Sequence, residues 1–522
     1  MPAIRKIGAG ILSNPEIAFA SLDAEPSGTV IVTAGDNARL SPTAAKLDNA
    51  SAGVLTRAAG ISKFKGKNKT AVNLLAPAGL DAIERLVVVG TEGISDDPSQ
   101  EWIDLGGFIR GKIDPDVEQA DLWLEASDGS TLGAEHVANV ALGLVLRGYE
   151  FTKYKSKKKT GADSNGEEKG EPSLARVVIH CDAPDAAEAA FAPMRAISEG
   201  VYLARDLVNE PPNELGPEQF AERARALADY GVEVDVLDED RMRELGMGAL
   251  LAVGQGSVRP SRLVTLRWRG KGAPEGPPTI FVGKGVCFDT GGVSIKPAQG
   301  MEDMKGDMGG AACVAGLLLA LAKEKAPVDV VGVLGLTENM VSGSAQRPSD
   351  IVKSMSGQTI EVLNTDAEGR MVLADAMWYA QETWKPKRIV TLATLTGAII
   401  VALGHEYAGL YANDDALCNA LLDAGAQTDE KVWRMPLSKK YDKLIDSKVA
   451  DMKNIGGRWA GSITAAQFLQ RFVQDDVCWA HIDIAGTAFS APSTDINRSW
   501  GAGFGVRLLE RMLMNEAQTG GA

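Results

Sequence analysis

Short apolar segments alternate with helical patterns along most of the chain, and this alternation constrains the fold more than any other feature. Residues 29–33 and 85–90 are runs of β-branched and other apolar residues, as in buried strands. Residues 134–147 instead repeat apolar side chains at helical spacing. Buried strands alternating with helices are typical of α/β domains. The sequence therefore predicts an α/β fold, starting in the N-terminal part.

A long helical pattern separates two such regions. Residues 186–208 place apolar side chains at helical spacing, and the pattern ends before Pro211 and Pro212, which cannot continue a helix. Predicted strands resume beyond them, among them residues 278–283 and 388–392. We therefore predict a smaller N-terminal α/β domain, a connecting helix and a larger C-terminal α/β domain, at residues 1–183, 184–208 and 209–522.

Residues 153–173 interrupt the N-terminal pattern with a run of lysines and then a segment rich in Gly, Asp, Glu and Asn. Such a composition is typical of a flexible, solvated surface loop. The alternative interpretation is a basic patch that docks an anionic partner.

The charge and cysteine content restrict the classes of function. Lys and Arg number 54 and Asp and Glu number 69, which gives a net charge of −15 and argues against a general nucleic-acid binder. The longest apolar stretches, 311–322 and 392–404, fall short of the ~18–20 residues that span a bilayer. Five cysteines without a Cys-x-x-Cys pair indicate reduced thiols, and with no convincing signal peptide we expect a cytoplasmic protein.

Familiar hydrolase motifs are missing from the sequence. The four histidines are widely scattered, and Gly409 stands where a zinc-protease helix starting at His405 would need its second His. Neither a Gly-x-Ser-x-Gly elbow nor a phosphate-binding loop ending in Lys-Ser/Thr occurs. A His-rich metal site, a serine hydrolase and a nucleotide hydrolase thus lose most of their support.

Carboxylates instead stand where predicted strands end. The glycines after strand 278–283 predict an irregular loop that carries Lys284 and Asp289, and Asp307 directly precedes a predicted helix. Asp366 and Glu368 again follow a predicted strand and precede a helix. Ligands in open α/β sheets bind beyond the carboxyl ends of the strands, so these four carboxylates are expected to converge.

Four carboxylates in one pocket remain ionised only when cations neutralise them. Divalent metals suit this role, and two metals ~3.5–4 Å apart form a recognised hydrolytic arrangement. Taken singly, each aspartate is more simply a turn or helix-cap residue, and Lys284 a surface lysine. Spacing alone also leaves a two-metal phosphoesterase open.

At these residues the chain resembles the leucyl aminopeptidases, or cytosol aminopeptidases, a family of di-metal exopeptidases. Residues 364–370 match the family signature Asn-Thr-Asp-Ala-Glu-Gly-Arg at every position. Further similar segments lie at residues 209–213, 282–297, 307–310, 393–397, 451–463 and 479–487. The resemblance is strong over residues 200–510 and implies a C-terminal α/β/α catalytic domain with a central mixed sheet.

Carried over residue by residue, the resemblance implies two divalent metals per subunit: zinc, manganese or both, with magnesium and cobalt as alternatives. One metal would be held by Lys284, Asp289, Asp307 and Glu368. The other would be held by Asp289, Asp366 and Glu368, with the Asp366 carbonyl assisting. Lys296 would stabilise the oxyanion, and Arg370 would hold a bicarbonate that relays protons. The pocket for the first side chain would be lined by Met304, Thr394, Leu395 and Gly397.

The resemblance implies that a metal-bridging hydroxide attacks the first carbonyl of a peptide with a free N-terminus, with leucine preferred. It also implies a homohexamer, and the shortness of the apolar stretches separately argues against a membrane partner. Two further hypotheses stay open: an additional DNA-binding role, for which the lysine run is the only obvious patch, and a structural hexamer without catalysis. The second of these requires damaged metal ligands, and here every ligand position is intact.

Overall fold

The structure, a computed structural model, describes residues 15–114, 116–156 and 174–519. It divides into two compact units, and the division falls after residue 198, inside a long helix. Residues 493–498 belong to the N-terminal unit. Most of the predicted lysine-rich loop, residues 157–173, lies outside the described residues. The predicted domain boundaries therefore stay a prediction.

The N-terminal unit contains a six-stranded sheet in the order β1-β6-β5-β2-β4-β3. All neighbouring strands are parallel except the edge pair β3 and β4. The strands are β1 Glu16–Ala20, β2 Gly28–Ala34, β3 Ala71–Leu75, β4 Ile83–Gly90, β5 Gln119–Trp123 and β6 Arg176–His180. The helices are α1 Pro42–Ala50, α2 Val54–Ser62, α3 Gln100–Arg110, α4 Ala134–Arg147 and the start of α5 Pro184–Asn209. This confirms the predicted α/β class.

The C-terminal unit contains an eight-stranded mixed sheet in the order β15-β14-β17-β13-β9-β10-β8-β7. Its strands are β7 Glu233–Leu237, β8 Arg262–Arg269, β9 Thr279–Asp289, β10 Asp329–Asn339, β13 Arg388–Ala393, β14 Ala408–Ala412, β15 Val432–Arg434 and β17 Cys478–Asp483. A small second sheet has the order β11-β12-β16, with strands Ile351–Lys353, Thr359–Glu361 and Met452–Lys453. The predicted central mixed sheet is thus present.

Helices cover this sheet, and their apolar faces form its core with the strands. They are α6 Pro217–Arg225, α7 Glu239–Glu244, α8 Gly248–Gly254, α9 Gly309–Glu324, α10 Gly369–Trp384, α11 Gly397–Leu403, α12 Asp415–Thr428, α13 Lys439–Asp442, α14 Gly461–Gln470 and α15 Val506–Thr519. Short 3-10 helices occupy Asp36–Ala38, Ala226–Tyr230, Met301–Gly306 and Lys443–Ile445. Large side chains such as Trp479 and Phe468 are fully buried in this core.

One local prediction is wrong. The glycines after residue 282 do not start a loop, because β9 continues to Asp289 and holds Lys284 within the strand. The physical reason is helix packing: a Cβ on Gly283 would lie 2.6 Å from the backbone of Ala311, at the start of α9. Glycine therefore permits close contact between strand and helix here, and the strand continues straight through.

The helical segment Met301–Glu324 is long and apolar enough to cross a membrane by length and composition, unlike the shorter stretch 311–322 considered from the sequence. The segment is longer than that stretch because it includes the 3-10 helix at Met301–Gly306 as well as α9. Since 89% of its most apolar part is buried inside the structure, it is a core helix.

Candidate active site

Four neighbouring strands of the eight-stranded sheet are parallel and end at the same edge. In the order β17, β13, β9 and β10, their last residues are Asp483, Ala393, Asp289 and Asn339. The carboxyl edge of such strands is where α/β proteins bind ligands. We call it the carboxyl edge below.

A cavity of about 670 Å³ opens at the carboxyl edge. Every site residue predicted from the sequence lines it: Lys284, Asp289, Lys296, Met304, Asp307, Asp366, Glu368, Arg370, Thr394, Leu395 and Gly397. The structure thus brings together side chains from segments far apart in the sequence.

The carboxylates form a tight cluster in this cavity. One oxygen each of Asp289, Asp366 and Glu368 lies within 4.8 Å of the others. Asp307 approaches the cluster through Lys284, whose Nζ is 2.7 Å from Asp307 Oδ1 and 2.9 Å from Glu368 Oε1. Asp307 Oδ2 and Glu368 Oε2 are buried and lack a hydrogen-bond partner among the described residues. Buried carboxylate oxygens without partners are costly, so this site is built to receive a cation.

Two lysines reach into the cluster from different depths. The buried Lys284 amine donates to Asp307, to Glu368 and, at 3.0 Å, to the Thr394 carbonyl. Lys296 is partly exposed and pairs with Asp289 at 2.8 Å and with Asp366. Burial disfavours the charged amine, yet the surrounding carboxylates raise the pKa of both lysines. A lysine ligates metal only when neutral, so ligation by Lys284 requires nearby metal charge to displace a proton.

Burial and mutual repulsion also give the acids of the cluster different pKa values. Burial raises the pKa of Asp289 to about 8, with repulsion from Glu368 and Asp307 adding to the effect. Burial likewise raises the pKa of Asp307 to about 6, against the attraction of Lys284. For Glu368, Lys284 and Lys296 outweigh burial and lower the pKa. In the absence of a further cation, the cluster therefore holds protons that a divalent metal would displace.

Two glycines make room for these side chains. A Cβ on Gly369 would lie 2.5–2.8 Å from the end of the Lys284 side chain. Gly291 has a φ of +84°, and a Cβ there would meet Asp366 Oδ1 at 2.9 Å. Gly369, the glycine of the 364–370 signature, thus leaves space for the buried Lys284 side chain. Gly291 lets the loop after β9 pass beside Asp366.

Sequence reasoning missed Asn339, which ends β10 and is almost fully buried. Its Nδ2 donates to Asp289 Oδ1 at 2.8 Å and to the Thr365 carbonyl at 2.9 Å. It therefore joins the end of β9 to the loop that carries Asp366. The other oxygen of Asp289, Oδ2, pairs with Lys296. The signal that could have found Asn339 is its place at the end of a parallel strand, shortly after an apolar run of the sequence.

Arg370 is buried near the start of α10. Its Nη1 donates to the Asn454 carbonyl at 2.8 Å, whereas its Nε is buried without a partner among the described residues. Burial lowers the pKa of Arg370 to about 10, against the attraction of Glu368 and Asp483. The side chain thus keeps a donor available in the wall of the cavity.

Comparisons with known proteins agree with this geometry. Residues 202–510 match the family described as "Cytosol aminopeptidase family, catalytic domain", and residues 30–158 match its N-terminal domain. The chain is 54% identical over 504 residues to the "Probable cytosol aminopeptidase" of Nitrobacter winogradskyi, covering 97% of this chain and 99% of that one.

Two solved structures are also similar over nearly the full length. A tomato leucine aminopeptidase mutant is 32% identical with a TM-score of 0.81, covering 96% of this chain and 97% of that one. The bottromycin maturation enzyme BotP in complex with Mn is 32% identical with a TM-score of 0.80, covering 94% of this chain and 99% of that one.

Proposed function

Because this chain belongs to the cytosol aminopeptidase family and is a metal-dependent exopeptidase acting on peptides, we propose that it releases leucine preferentially from peptide N-termini. The observation that carries the proposal is the cluster of the buried Asp289 and Glu368 with the partly exposed Asp366, whose ligand atoms lie within 4.8 Å of one another. The unpartnered oxygens of Asp307 and Glu368 supply the further ligands.

Two divalent metals per subunit fit the charges of this site. Four carboxylates share two lysines, so negative charge is in excess. We propose one metal held by Lys284, Asp289, Asp307 and Glu368. A second would be held by Asp289, Asp366 and Glu368, with the Asp366 carbonyl assisting. Oxygen-rich ligands suit manganese and also accept zinc, magnesium or cobalt.

When bound, the metals supply Lewis-acid chemistry: they lower the pKa of water to give the hydroxide nucleophile, and they polarise the peptide carbonyl. The protein's own part is placement. Lys296 pairs with Asp289 and Asp366, and its side chain is 20% exposed, whereas that of Lys284 is only 3% exposed. We propose that Lys296 stabilises the oxyanion of the tetrahedral intermediate as a fixed cation.

Arg370 is proposed to hold a bicarbonate ion that relays protons. Its buried Nε lacks a partner among the described residues, and its guanidinium lines the cavity. A planar guanidinium matches the geometry of a planar oxyanion.

The side chain of the first residue would enter the apolar part of the cavity. Met304 and Leu395 line it together with Thr394 and Gly397. Small and flexible apolar walls accept leucine, and such pockets discriminate by only ~1–3 kcal/mol per methylene. A preference for leucine with broad tolerance is therefore the expected specificity.

We also propose a homohexamer located in the cytoplasm. The family name refers to the cytosol, and all five cysteines are free thiols. Val401 and Trp459 are 91% and 78% exposed in the single chain, and covering them with another subunit would remove apolar surface from water. Light scattering during size-exclusion chromatography tests this directly, since six chains are expected per particle and a monomer would contradict the proposal.

The function is tested with the purified protein by elemental analysis beside an assay on leucine p-nitroanilide. We expect close to two metals per chain, loss of hydrolysis with a chelator and recovery with zinc or manganese. N-acetylated leucine p-nitroanilide is the matched control, and it should not be cleaved because its amine is blocked. Full hydrolysis by metal-free protein would contradict the proposed function.

A further inference from the structure

Asp483, which the sequence analysis did not single out, is fully buried at the end of β17. Its Oδ1 accepts a hydrogen bond from the Leu395 N–H at 3.0 Å, and its Oδ2 accepts one from the Thr396 hydroxyl at 2.7 Å. Both donors belong to the loop that joins β13 to α11, which we call the 394–397 loop. Oδ1 also accepts a longer bond from the Ala485 N–H at 3.3 Å, but the two shorter bonds of this buried carboxylate go to consecutive residues of one loop.

The opposite side of the 394–397 loop touches the metal-site residues. The Thr394 carbonyl accepts from Lys284 Nζ at 3.0 Å, and the Thr394 hydroxyl donates to Asp307 Oδ1 at 2.7 Å. The whole loop lines the cavity, whereas Asp483 does not. The loop is thus held between the carboxylate cluster on one side and Asp483 on the other.

Thr394 is tied to the metal-site residues, and Asp483 anchors Leu395 and Thr396, the next two residues of the 394–397 loop. Within it, the Thr396 hydroxyl accepts from the Ile399 N–H at 3.2 Å, which caps the short helix α11. Without an acceptor at Asp483, the Leu395 N–H and the Thr396 hydroxyl would lose their partners inside a buried region, and such groups drive local rearrangement. The wall of the cavity would then relax.

We propose that Asp483 is a positioning residue that sets side-chain selectivity by fixing the 394–397 loop against the cavity. The inference rests on the proposed function, because it takes this cavity as the pocket for the first side chain. Discrimination between leucine and alanine depends on how closely the walls fit the additional carbons. A loosened loop lowers that discrimination more than it lowers hydrolysis of a small residue.

The test is Asp483→Asn, which keeps the shape of the side chain and removes one acceptor oxygen. The measurement is kcat/KM for leucine p-nitroanilide divided by kcat/KM for alanine p-nitroanilide, at full metal loading. Any unfolded fraction cancels in this ratio. We expect the ratio to fall on the order of tenfold, as for the loss of one hydrogen bond to a charged group.

Asp375→Asn is the matched control. Asp375 is also a fully buried aspartate that accepts two backbone hydrogen bonds, from Leu250 and Met355, but it does not line the cavity. Its variant should keep the wild-type ratio. An equal fall in both variants, or an unchanged ratio in Asp483→Asn, would overturn the proposal.

Thr396 provides a second route if Asp483→Asn does not fold. Thr396→Val removes the hydroxyl donor and should lower the ratio, whereas Thr396→Ser keeps the donor and should preserve most of it. Equal ratios in these two variants would overturn the proposal. If the Asp483 proposal fails while the wild-type protein still cleaves both substrates, the proposed aminopeptidase function stands. A wild-type protein that cleaves neither substrate would contradict the proposed function itself.

Discussion

The two edges of the eight-stranded sheet bury charge in different ways. At the carboxyl edge, four carboxylates face two lysines, and two buried oxygens lack partners among the described residues. At the amino edge, where β9, β10 and β13 begin, Arg388 pairs with Glu516 through contacts of 2.5 and 2.7 Å. Arg267 pairs there with Asp329 through two further bonds.

The difference lies in charge balance rather than in the presence of a cavity. The amino edge also has a cavity, of about 480 Å³, lined by Arg388, Glu516 and Asp329. Arg388 and Arg267 each face a carboxylate there, so the charges of these two pairs are compensated inside the protein. The carboxyl edge is compensated only when cations from outside are added. The excess of carboxylates over lysines at one site therefore distinguishes the carboxyl edge.

The strongest test of this comparison is Asp366→Ala at the carboxyl edge. We expect kcat/KM for leucine p-nitroanilide to fall by roughly three orders of magnitude or more, because a metal ligand and its charge are both lost. Elemental analysis should show less bound metal. Glu516→Gln at the amino edge is the control and should keep kcat/KM within about twofold, since its partner Arg388 stays clear of the substrate cavity. Equal losses in the two variants would contradict the comparison.

How far the sequence could predict this site depends on the residue. Asp366 and Glu368 stand in a long signature whose pattern is specific, so they were predictable. Asn339 and Asp483 were not, because a single polar residue after an apolar run looks like any turn former. Their roles depend on strand order, since β10 and β17 flank β9 and β13 in the sheet. Sheet order is a long-range property that local patterns do not encode.

The same limit explains the error at β9. Glycines at 283 and 285 are typical of a turn, and the sequence alone favoured that interpretation. Only the packing of α9 on the strand shows why glycine is needed inside it. The α/β class itself was predictable, because strand and helix periodicities are local.

A second test separates charge from ligation at the carboxyl edge. Lys296→Gln removes a cation but no carboxylate, so the metal should stay bound while kcat falls ~10²–10³-fold through loss of oxyanion stabilisation. KM should change much less. Steady-state kinetics with metal analysis of the same sample measures both effects. Unchanged kcat would show that Lys296 serves only as a counter-ion for Asp289 and Asp366.

A third test alters the geometry of the carboxyl edge without altering its charge. In Gly369→Ala, the new Cβ would collide with the Lys284 side chain, so the amine must move away from Asp307 and Glu368. We expect kcat/KM to fall by ~10–100-fold, as for small misplacements of catalytic groups. Gly343→Ala is the control, because nothing lies within 4 Å of its Cβ position. A fall of the same size in the control would remove the geometric explanation.

The smallest expected effect is on stability, and it concerns an acid that is buried in its protonated form. Glu324 ends α9 shortly before β10 begins, and burial, with repulsion from Glu510, raises its pKa to about 9. The folded state therefore holds a proton that the unfolded chain, with a pKa of 4.5, releases. Stability from this group is complete below pH 4.5 and falls as the pH rises towards 9.

Glu324→Gln replaces this carboxyl with a neutral group of similar shape and so removes its loss of folding stability at rising pH. We expect its Tm relative to wild type to rise by ~2–4 °C between pH 6 and pH 9, measured by thermal unfolding in matched buffers. Glu382→Gln is the control: hydrogen bonds from Lys385 and Gln474 lower the pKa of this exposed glutamate, so its Tm difference should stay constant over that range. A Tm difference for Glu324→Gln that stays flat or falls with pH would mean that Glu324 is compensated by Arg511, as Glu516 is by Arg388. The amino edge would then bury all of these acids by pairing, and the carboxyl edge alone would leave them uncompensated.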